Sequence, residues 1–367
     1  MQISLSIVIT KSLVGLTGIT LSCGSSVSSY SHTISANGGY DTATFSLAGS
    51  LETMEYWLQS GIGSHIEIYN MYLTKVWEGF IDEVVITYGQ SSVSSGKISE
   101  IANRVSVDYQ DFVTGEQDIT ATANDLASQN RYGVLQKVYS GGKVSQTNAE
   151  KIRDEVLSEN KMPHVTNSLA GFGVPQITVN CLGYIHFLDL FTYSQEGASW
   201  TLREKILDVL GKEPNSVFSL DRSRISSNTL SVPKDDLDGR TGRDVLSDLA
   251  ALGGDSDNYR RIYGCLNDRL VYYRQVPSTI KYYKYITANQ VGFRLTDGNM
   301  VLPSDVKAGE WVFVPDMLAG AAVKSNIRDD SRAIFIEQVS YTAPIDLSIT
   351  GSYVGTVAQR IKKLGGG

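Results

Sequence analysis

Four histidines, His32, His65, His164 and His186, are the side chains best suited to exchange protons near neutral pH, and they are scattered along the chain. None has a second histidine at the spacing of an HExxH zinc helix and none has a cysteine nearby, so each reads as a surface or hydrogen-bonded structural histidine. Cys23, Cys181 and Cys265 are equally dispersed and read as small buried side chains, a usage that fits a reducing compartment. There is no GxSxG elbow, no Walker loop and no GxGxxG turn, and Gly171 and Gly173 read as loop glycines. The run Asp235-Asp236-Leu237-Asp238-Gly239 lacks the closing glutamate of a calcium loop and reads as a solvated lead into a helix capped by Thr241. Glu78 and Asp82 would suit a glycosidase only with their carboxyls roughly 5 to 9 Å apart in a cleft, a distance that spacing alone does not set. The expectation is therefore a chain that is not an enzyme, with no catalytic, cofactor-binding or metal-binding residue and no cofactor.

One segment has a chemistry of its own. Tyr259 to Tyr285 holds seven tyrosines and six basic residues against the single acid Asp268, on a chain whose formal net charge is -7. Basic strands interleaved with aromatics suit stacking of single-stranded nucleic acid, and they equally suit a protein contact, where Tyr and Arg are enriched. A hairpin with one plain exposed face is the third reading. The contact reading predicts that Tyr272, Tyr273, Arg274, Tyr282, Tyr283 and Lys284 lie at an interface, with strand alternation turning about half of them inward.

The elements that must position these residues are mostly strands. Ile66, Ile68, Val76, Phe80, Val84, Ile86 and Tyr88 mark apolar positions, many two residues apart, and Lys97 to Tyr109 is expected to return beside them as an antiparallel meander. Gly79 is read as a bulge or bend in the strand through Val76. Ile3, Leu5, Ile7 and Ile9 alternate as a first strand. This stretch, followed by Leu21-Ser22-Cys23-Gly24, has the outline of a lipoprotein signal but lacks the positively charged start. Ser22 to Ser35 reads as a Ser/Gly-rich connection, Asn37-Gly38-Gly39 as a turn, Tyr40 to Leu51 as a strand and Glu52 to Gln59 as a short helix or crossover.

Beyond Thr114 helices enter: Thr120 to Asn130, then one opened by the capping box Thr147-Asn148-Ala149-Glu150. Ile177 to Cys181 and Gly183 to Tyr193 read as strands. Thr201 with Glu204, and Thr241 with Asp244, each open a further helix, with Gly211 and Gly253-Gly254 as stops. Tyr259 to Tyr263 and Leu270 to Arg274 form a hairpin, with Thr279 to Ile286 as its third strand. Val291 to Leu295, Trp311 to Val314, Ile334 to Tyr341 and Leu347 to Tyr353 complete a last β-segment, and Val354 to Leu364 allows a short helix before the Gly365-Gly366-Gly367 end.

At 367 residues the chain is long for one core, and 42% hydrophobic residues mark it as folded. Its acidity argues against general nucleic-acid binding, and no apolar run reaches the ~18 residues of a membrane-spanning helix. The expected fold is mainly β with α+β parts: a β-barrel-like domain at 1–113, an α+β region with the Tyr/Arg-rich hairpin at 114–288, and a second β-barrel-like domain at 289–367.

The order of elements resembles the baseplate-hub or tail-hub proteins of tailed bacteriophages. The resemblance is carried by Phe45-Ser46-Leu47, Ile66-Glu67-Ile68-Tyr69 and Trp77-Glu78-Gly79-Phe80-Ile81, then by Arg131-Tyr132-Gly133, the helix Ala149 to Leu157 and Cys181-Leu182-Gly183-Tyr184. It continues through Asp244 to Ala250, Arg269-Leu270-Val271-Tyr272-Tyr273 and Lys307-Ala308-Gly309-Glu310-Trp311-Val312, so it covers most of the chain in short motifs. It implies a structural virion protein, assembled in the host cytoplasm, whose homotrimer adapts a hexameric tail tube to a threefold tip. Implied partners are further copies of the chain, a distal tail or tail-tube protein, a tape-measure protein and a tail fibre or tip protein, with DNA only in transit. The alternatives are a hexameric distal tail protein and a carbohydrate-binding or carbohydrate-hydrolysing tail-tip protein.

Overall fold

The fourteen-residue strand Lys75–Tyr88 is the spine of the fold. In the computed structural model, which describes residues 6–10, 20–22, 27–47, 51–70, 72–171, 173–194, 200–227, 230–232, 240–252, 261–287, 290–313, 333–343 and 346–353, this strand pairs antiparallel with His65–Tyr69, Ser91–Ser94 and Pro175–Leu182. Its apolar positions Val76, Phe80, Val84 and Ile86 are buried, as their spacing predicts. The first two hairpins of the expected meander are present, but Lys97 to Tyr109 does not return to this sheet. Ile98–Glu100 forms a 3-10 turn whose Ser99 donates to Asp82 from backbone N (2.9 Å) and Oγ (3.2 Å), and the chain then leaves to start a separate sheet at Arg104–Asp111.

The expected bulge at Gly79 is displaced. Gly79 pairs regularly with Ile66, and the extra residue of the strand is Asp82, since Ile81 faces Cys181 and Glu83 faces Asn180. Glycine stands at 79 because a Cβ there would lie 2.2 Å from the Leu182 carbonyl oxygen. The Asn37-Gly38-Gly39 turn is present, and Gly39 has a second role: its φ is +79° and a Cβ would lie 2.1 Å from the Cys265 carbonyl oxygen, where Gly264 and Cys265 pair with Gly38 and Gly39.

Ser22 to Ser35 is more than a connection, since Val27–Ser35 is a nine-residue strand burying Tyr30, His32 and Ile34. Serines and a threonine at the outward positions mask its period in the sequence. It pairs on one side with Gly38–Leu47 and on the other with Ala333–Thr342, in the register Ser35 to Gln338 through Ser31 to Thr342. The two β-rich ends of the chain thus share one sheet, seventeen-stranded among the described residues, and one core in which Phe45, Trp77 and Ile177 lie with Trp311, Phe335 and Val339. The sheets do not close into barrels among the described residues.

Between those ends lie most of the helices. Leu51–Ser60 is helical as expected. Leu126–Tyr132 is capped by Asp125 and connects Arg104–Asp111 to the parallel strand Gln136–Val144. Gln146–Asn160 covers that small sheet through Ala149, against Val107 and Tyr109. It does not begin at a Thr147 capping box: Ser145 is the N-cap, without a side-chain bond, and Thr147 is already helical. The capping boxes at Thr201 and Thr241 are both made, opening Leu202–Gly211 and Gly242–Ala251, and Lys212 rather than Gly211 ends the first of these. Gly183 to Tyr193 is not a strand. Tyr184–Asp189 winds as a 3-10 helix that buries Tyr184, Ile185, Phe187 and Leu188 together in a second core, beside Val245, Leu246, Tyr263 and Tyr273.

Arg261–Leu266 and Leu270–Gln275 form the expected hairpin, turning through Asp268 and Arg269 at φ values of 63° and 58°. Ile280–Thr287 is not its third strand but pairs with Gln290–Leu295 and Trp311–Phe313. Pro277, which has no N–H to give a ladder, separates the two, and its carbonyl accepts from Trp311 Nε1 at 2.6 Å, which brings the following strand alongside Trp311. Ala333–Thr342 and Asp346–Tyr353 close the β-segment, and Ser6–Thr10 is the first strand, paired with Thr20–Ser22 and His65–Tyr69. Ile3, Leu5, Cys23, the Asp235 to Gly239 loop, Gly253-Gly254, Tyr259, Arg260 and the segment from Val354 to Gly367 lie outside the described residues.

Candidate interaction surface and the ionic node beneath it

Strand pleating divides the six expected contact residues. Tyr273 is fully buried in the second core, its hydroxyl donating to the Leu249 carbonyl at 2.8 Å. Tyr272 and Tyr282 are buried in the first core, where Tyr272 bonds the Ala36 carbonyl at 3.2 Å and Tyr282 accepts from Lys307 N at 3.2 Å. These three tyrosines are turned inward and pack within the chain. Tyr283 is 39% exposed, with its ring tilted against Phe313 at 5.8 Å between centroids. Arg274 and Lys284 are half-buried at the surface.

Two cations of the basic run share one carboxylate, and a third lies over a ring. Arg274 Nη2 lies 2.9 Å from Glu310 Oε1 and Lys281 Nζ lies 3.6 Å from the same oxygen, while Arg269 stands 5.7 Å over the Tyr184 ring. The surface is therefore an aromatic patch, Tyr283 with Phe313, edged by partly neutralised cations.

Beneath this surface is a polar node that the sequence reading did not anticipate. Glu78, 2% exposed, accepts from Lys75 Nζ at 3.0 Å and from the Asp268 backbone N–H at 2.6 Å. Lys75 Nζ also meets Glu67 at 2.5 Å and Asp268 Oδ1 at 2.9 Å. His65, Glu67 and Glu78 offer atoms at metal-ligand spacing, but the cation among the carboxylates is the Lys75 ammonium. Hydrogen bonding from His65, against burial and with help from Lys75 and Tyr69, holds the Glu67 carboxyl down at about 2. A few residues away Lys307 Nζ is buried against the Tyr40 ring, 4.9 Å from its centroid, and donates to the Val76 carbonyl at 3.0 Å. Tyr40 bonds Asn267 at the hairpin turn, and Asn70 Nδ2 donates to Asp305 at 2.8 Å. The only hint in the sequence is the placing of charged residues inside strands otherwise patterned for a core.

Each of the four histidines lies at hydrogen-bonding distance of a neighbouring side chain. His32 Nδ1 bonds the Tyr30 hydroxyl at 2.7 Å, and burial, reinforced by Lys307, lowers its pKa to about 3, so it stays neutral. His65 Nδ1 meets the Tyr184 hydroxyl at 2.6 Å, and His164 lies near Asn160. His186 Nε2 lies 2.8 Å from Asp41, and Arg243 Nη1 bridges its Nδ1 (3.2 Å) and Asp189 (2.8 Å). Asp82 is held by Ser99, and burial raises its pKa. Cys181 and Cys265 are buried free thiols.

The fold so described is a mainly-β scaffold with an α+β region between its ends. No protein-family model matches the chain, and no curated protein matches it in sequence. Among solved structures, the 43 kDa tail protein of prophage MuSo2 from Shewanella oneidensis is similar at a TM-score of 0.45, with 8% identity over 95% of this chain and 96% of that one. A tail protein from Neisseria meningitidis MC58 is similar at 0.44, with 9% identity over 93% and 92%. The E. coli c3393 protein, described as a component of the type VI secretion system with structural similarity to T4 bacteriophage tail proteins gp27 and gp5, is similar at 0.42, with 8% identity over 95% of this chain and 77% of that one.

Proposed function

We propose that this chain is a structural protein of a phage tail, and within the tail a homotrimeric hub joining tube to tip. The observation that supports the reading most is where the hub-like motifs meet. Trp77-Glu78-Gly79-Phe80-Ile81, the hairpin Arg269 to Tyr273 and Lys307 to Val312 lie far apart in sequence, yet they meet at their margins: Glu78 accepts the N–H of Asp268, the residue before the hairpin motif, and Lys307 donates to the carbonyl of Val76, the residue before Trp77, and packs on Tyr40. Motifs that resemble one family are thus parts of one built unit. On this reading 1–113, 114–288 and 289–367 are subdivisions of a shared framework rather than separately folding domains, and the β-rich ends form barrel-like units in the assembled ring. The chain meets further copies of itself, a distal tail or tail-tube protein, a tape-measure protein and a fibre or tip protein, and it is not an enzyme.

Tyr283, with Arg274 and Lys284 at its margin, is the expected subunit contact, because a ring of identical chains needs a patch that fits a different patch on its neighbour. Native mass measurement is the test: three chains of 40.1 kDa support the hub, and six support the distal-tail reading. Tyr283→Ala is expected to weaken the trimer by on the order of 1 to 3 kcal/mol per interface. A chain that stays monomeric across concentrations, and is absent from purified tails, would end the proposal.

A further inference from the structure

The strand Arg104–Asp111 has two unlike faces. Val105, Val107 and Tyr109 are buried, Val107 and Tyr109 against Ala149 of the covering helix, while Arg104, Ser106 and Asp108 point the other way. Beside them, in parallel register, Gln136 stands next to Arg104 and Val138 next to Ser106. This second face is partly covered, with Ser106 buried and Asp108 exposed. It floors a cleft of about 780 Å³ whose far wall is Phe191 to Ser194 with Lys212, and whose rim is the edge strand Gln117–Ile119 with Thr120 and Thr122. The volume is that of a small-molecule site. Gln136 Nε2 donates to Thr192 Oγ1 at 2.9 Å and ties floor to wall, so the cleft is braced by the chain itself.

Its polar groups differ in one respect that matters. Lys212 is engaged, donating to the Ser194 carbonyl at 2.8 Å and reaching Asp208 at 3.3 Å. Thr120 accepts from Val107 N, and Asp118 accepts from Tyr109. Arg104 is not engaged in this way: its Nε is buried with no partner among the described residues. A buried donor without an acceptor is costly, and a planar guanidinium is shaped to take a carboxylate through paired N–H groups. Around it stand hydroxyls, an amide and the exposed carboxylate of Asp108, which accept and donate to sugar hydroxyls. The rings of Phe191 and Tyr193 are buried and offer no face for a nucleobase. Asp108 and Asp118 would repel a phosphate dianion but tolerate a single negative charge.

We propose that this cleft binds a carboxylate-bearing saccharide, with Arg104 pairing the carboxylate and Asp108 and Ser106 taking neighbouring hydroxyls. The inference is independent of any tail assembly and is tested on the full chain by calorimetric titration with the methyl glycoside of galacturonic acid, its neutral methyl ester and acetate. The acid is expected to bind and the ester to bind roughly 10- to 100-fold more weakly. Arg104→Gln is expected to lose the same factor with its melting temperature unchanged. Asp108→Asn, at an exposed side chain, carries the test if Arg104→Gln fails to fold, and is expected to weaken the acid severalfold. The proposal is overturned if the acid does not bind, if the ester binds equally, if acetate competes at the acid's own concentration, or if these substitutions leave binding intact.

Discussion

The carboxylate of Glu78 accepts the backbone N–H of Asp268 at 2.6 Å, across 190 residues of sequence, and the Lys75 ammonium lies 3.0 Å from the same oxygen. The central strand therefore holds the tip of the Tyr/Arg hairpin through a buried charge, and its neutralising partner comes from three residues upstream. Removing Lys75 leaves Glu78 buried without its cation. Lys75→Met is expected to cost about 3 to 5 kcal/mol in urea unfolding, and Lys75→Met with Glu78→Gln together should cost less than the sum. A loss under about 1 kcal/mol, the range of an exposed pair, would mean the node is solvated.

Lys307 predicts the opposite sign. Burial, together with Lys281 and against Asp305, lowers its pKa to about 8 from 10.5. A lysine that gives up its proton more readily when folded penalises folding wherever the unfolded chain holds that proton, so stability should rise between about pH 8 and 10.5. Lys307→Met should flatten that rise and leave the protein at least as stable at pH 7. A wild-type stability that is level or falling over this range, with Lys307→Met no different, contradicts the burial.

His186 titrates in the other direction. Burial opposes its charge, but hydrogen bonds to Asp189 and Asp41 outweigh burial and the nearby Arg243, so its pKa is raised above 6.5. Its contribution is fully present below pH 6.5 and is lost as pH rises through the folded value. Chemical denaturation of His186→Gln at pH 6 and pH 8 should show a larger deficit at pH 6; equal deficits would assign the histidine a packing role only.

At Gly79, alanine would set a methyl group 2.2 Å from the Leu182 carbonyl oxygen and 2.4 Å from the Trp77 ring. Gly79→Ala is expected to destabilise by about 1 to 3 kcal/mol or more through forced backbone movement. Gly211→Ala, where a Cβ meets nothing within 4 Å, is the control and should be neutral or stabilising. A neutral Gly79→Ala would show that the two strands can part at no cost.

Thr201 donates and accepts within its capping box, with Glu204 N 3.3 Å from its hydroxyl and its own N–H 3.0 Å from the Glu204 carboxylate. Thr201→Ala should cost about 1 kcal/mol in thermal unfolding, whereas Thr147→Ala, inside its helix, should cost nothing measurable.

Local rules were sufficient wherever a residue answers to its own neighbours. The alternation through Val76 and Ile86, the turn at Asn37 and the caps at Thr201 and Thr241 depend on spacing within one element, and all of them are legible in the sequence. So is the Tyr263 and Tyr273 hairpin. The tertiary structure alone decided what lies between elements. The pairing of Val27–Ser35 with Ala333–Thr342 crosses some three hundred residues, and a serine-rich strand carries no mark of its partner. Nor does a run of apolar residues reveal whether it is a two-faced strand or, as at Tyr184–Asp189, a 3-10 helix pressed between a sheet and helices. Alternation says that half of Tyr272, Tyr273, Tyr282 and Tyr283 point one way, but which half faces a core depends on the sheets packed above and below, and only Tyr283 of the four is left at the surface. The node of Lys75, Glu78 and Lys307, with Asp268 at its exposed edge, is the clearest case, because a charge is tolerable in a core only beside a partner, and those partners are neighbours in space and not all in sequence.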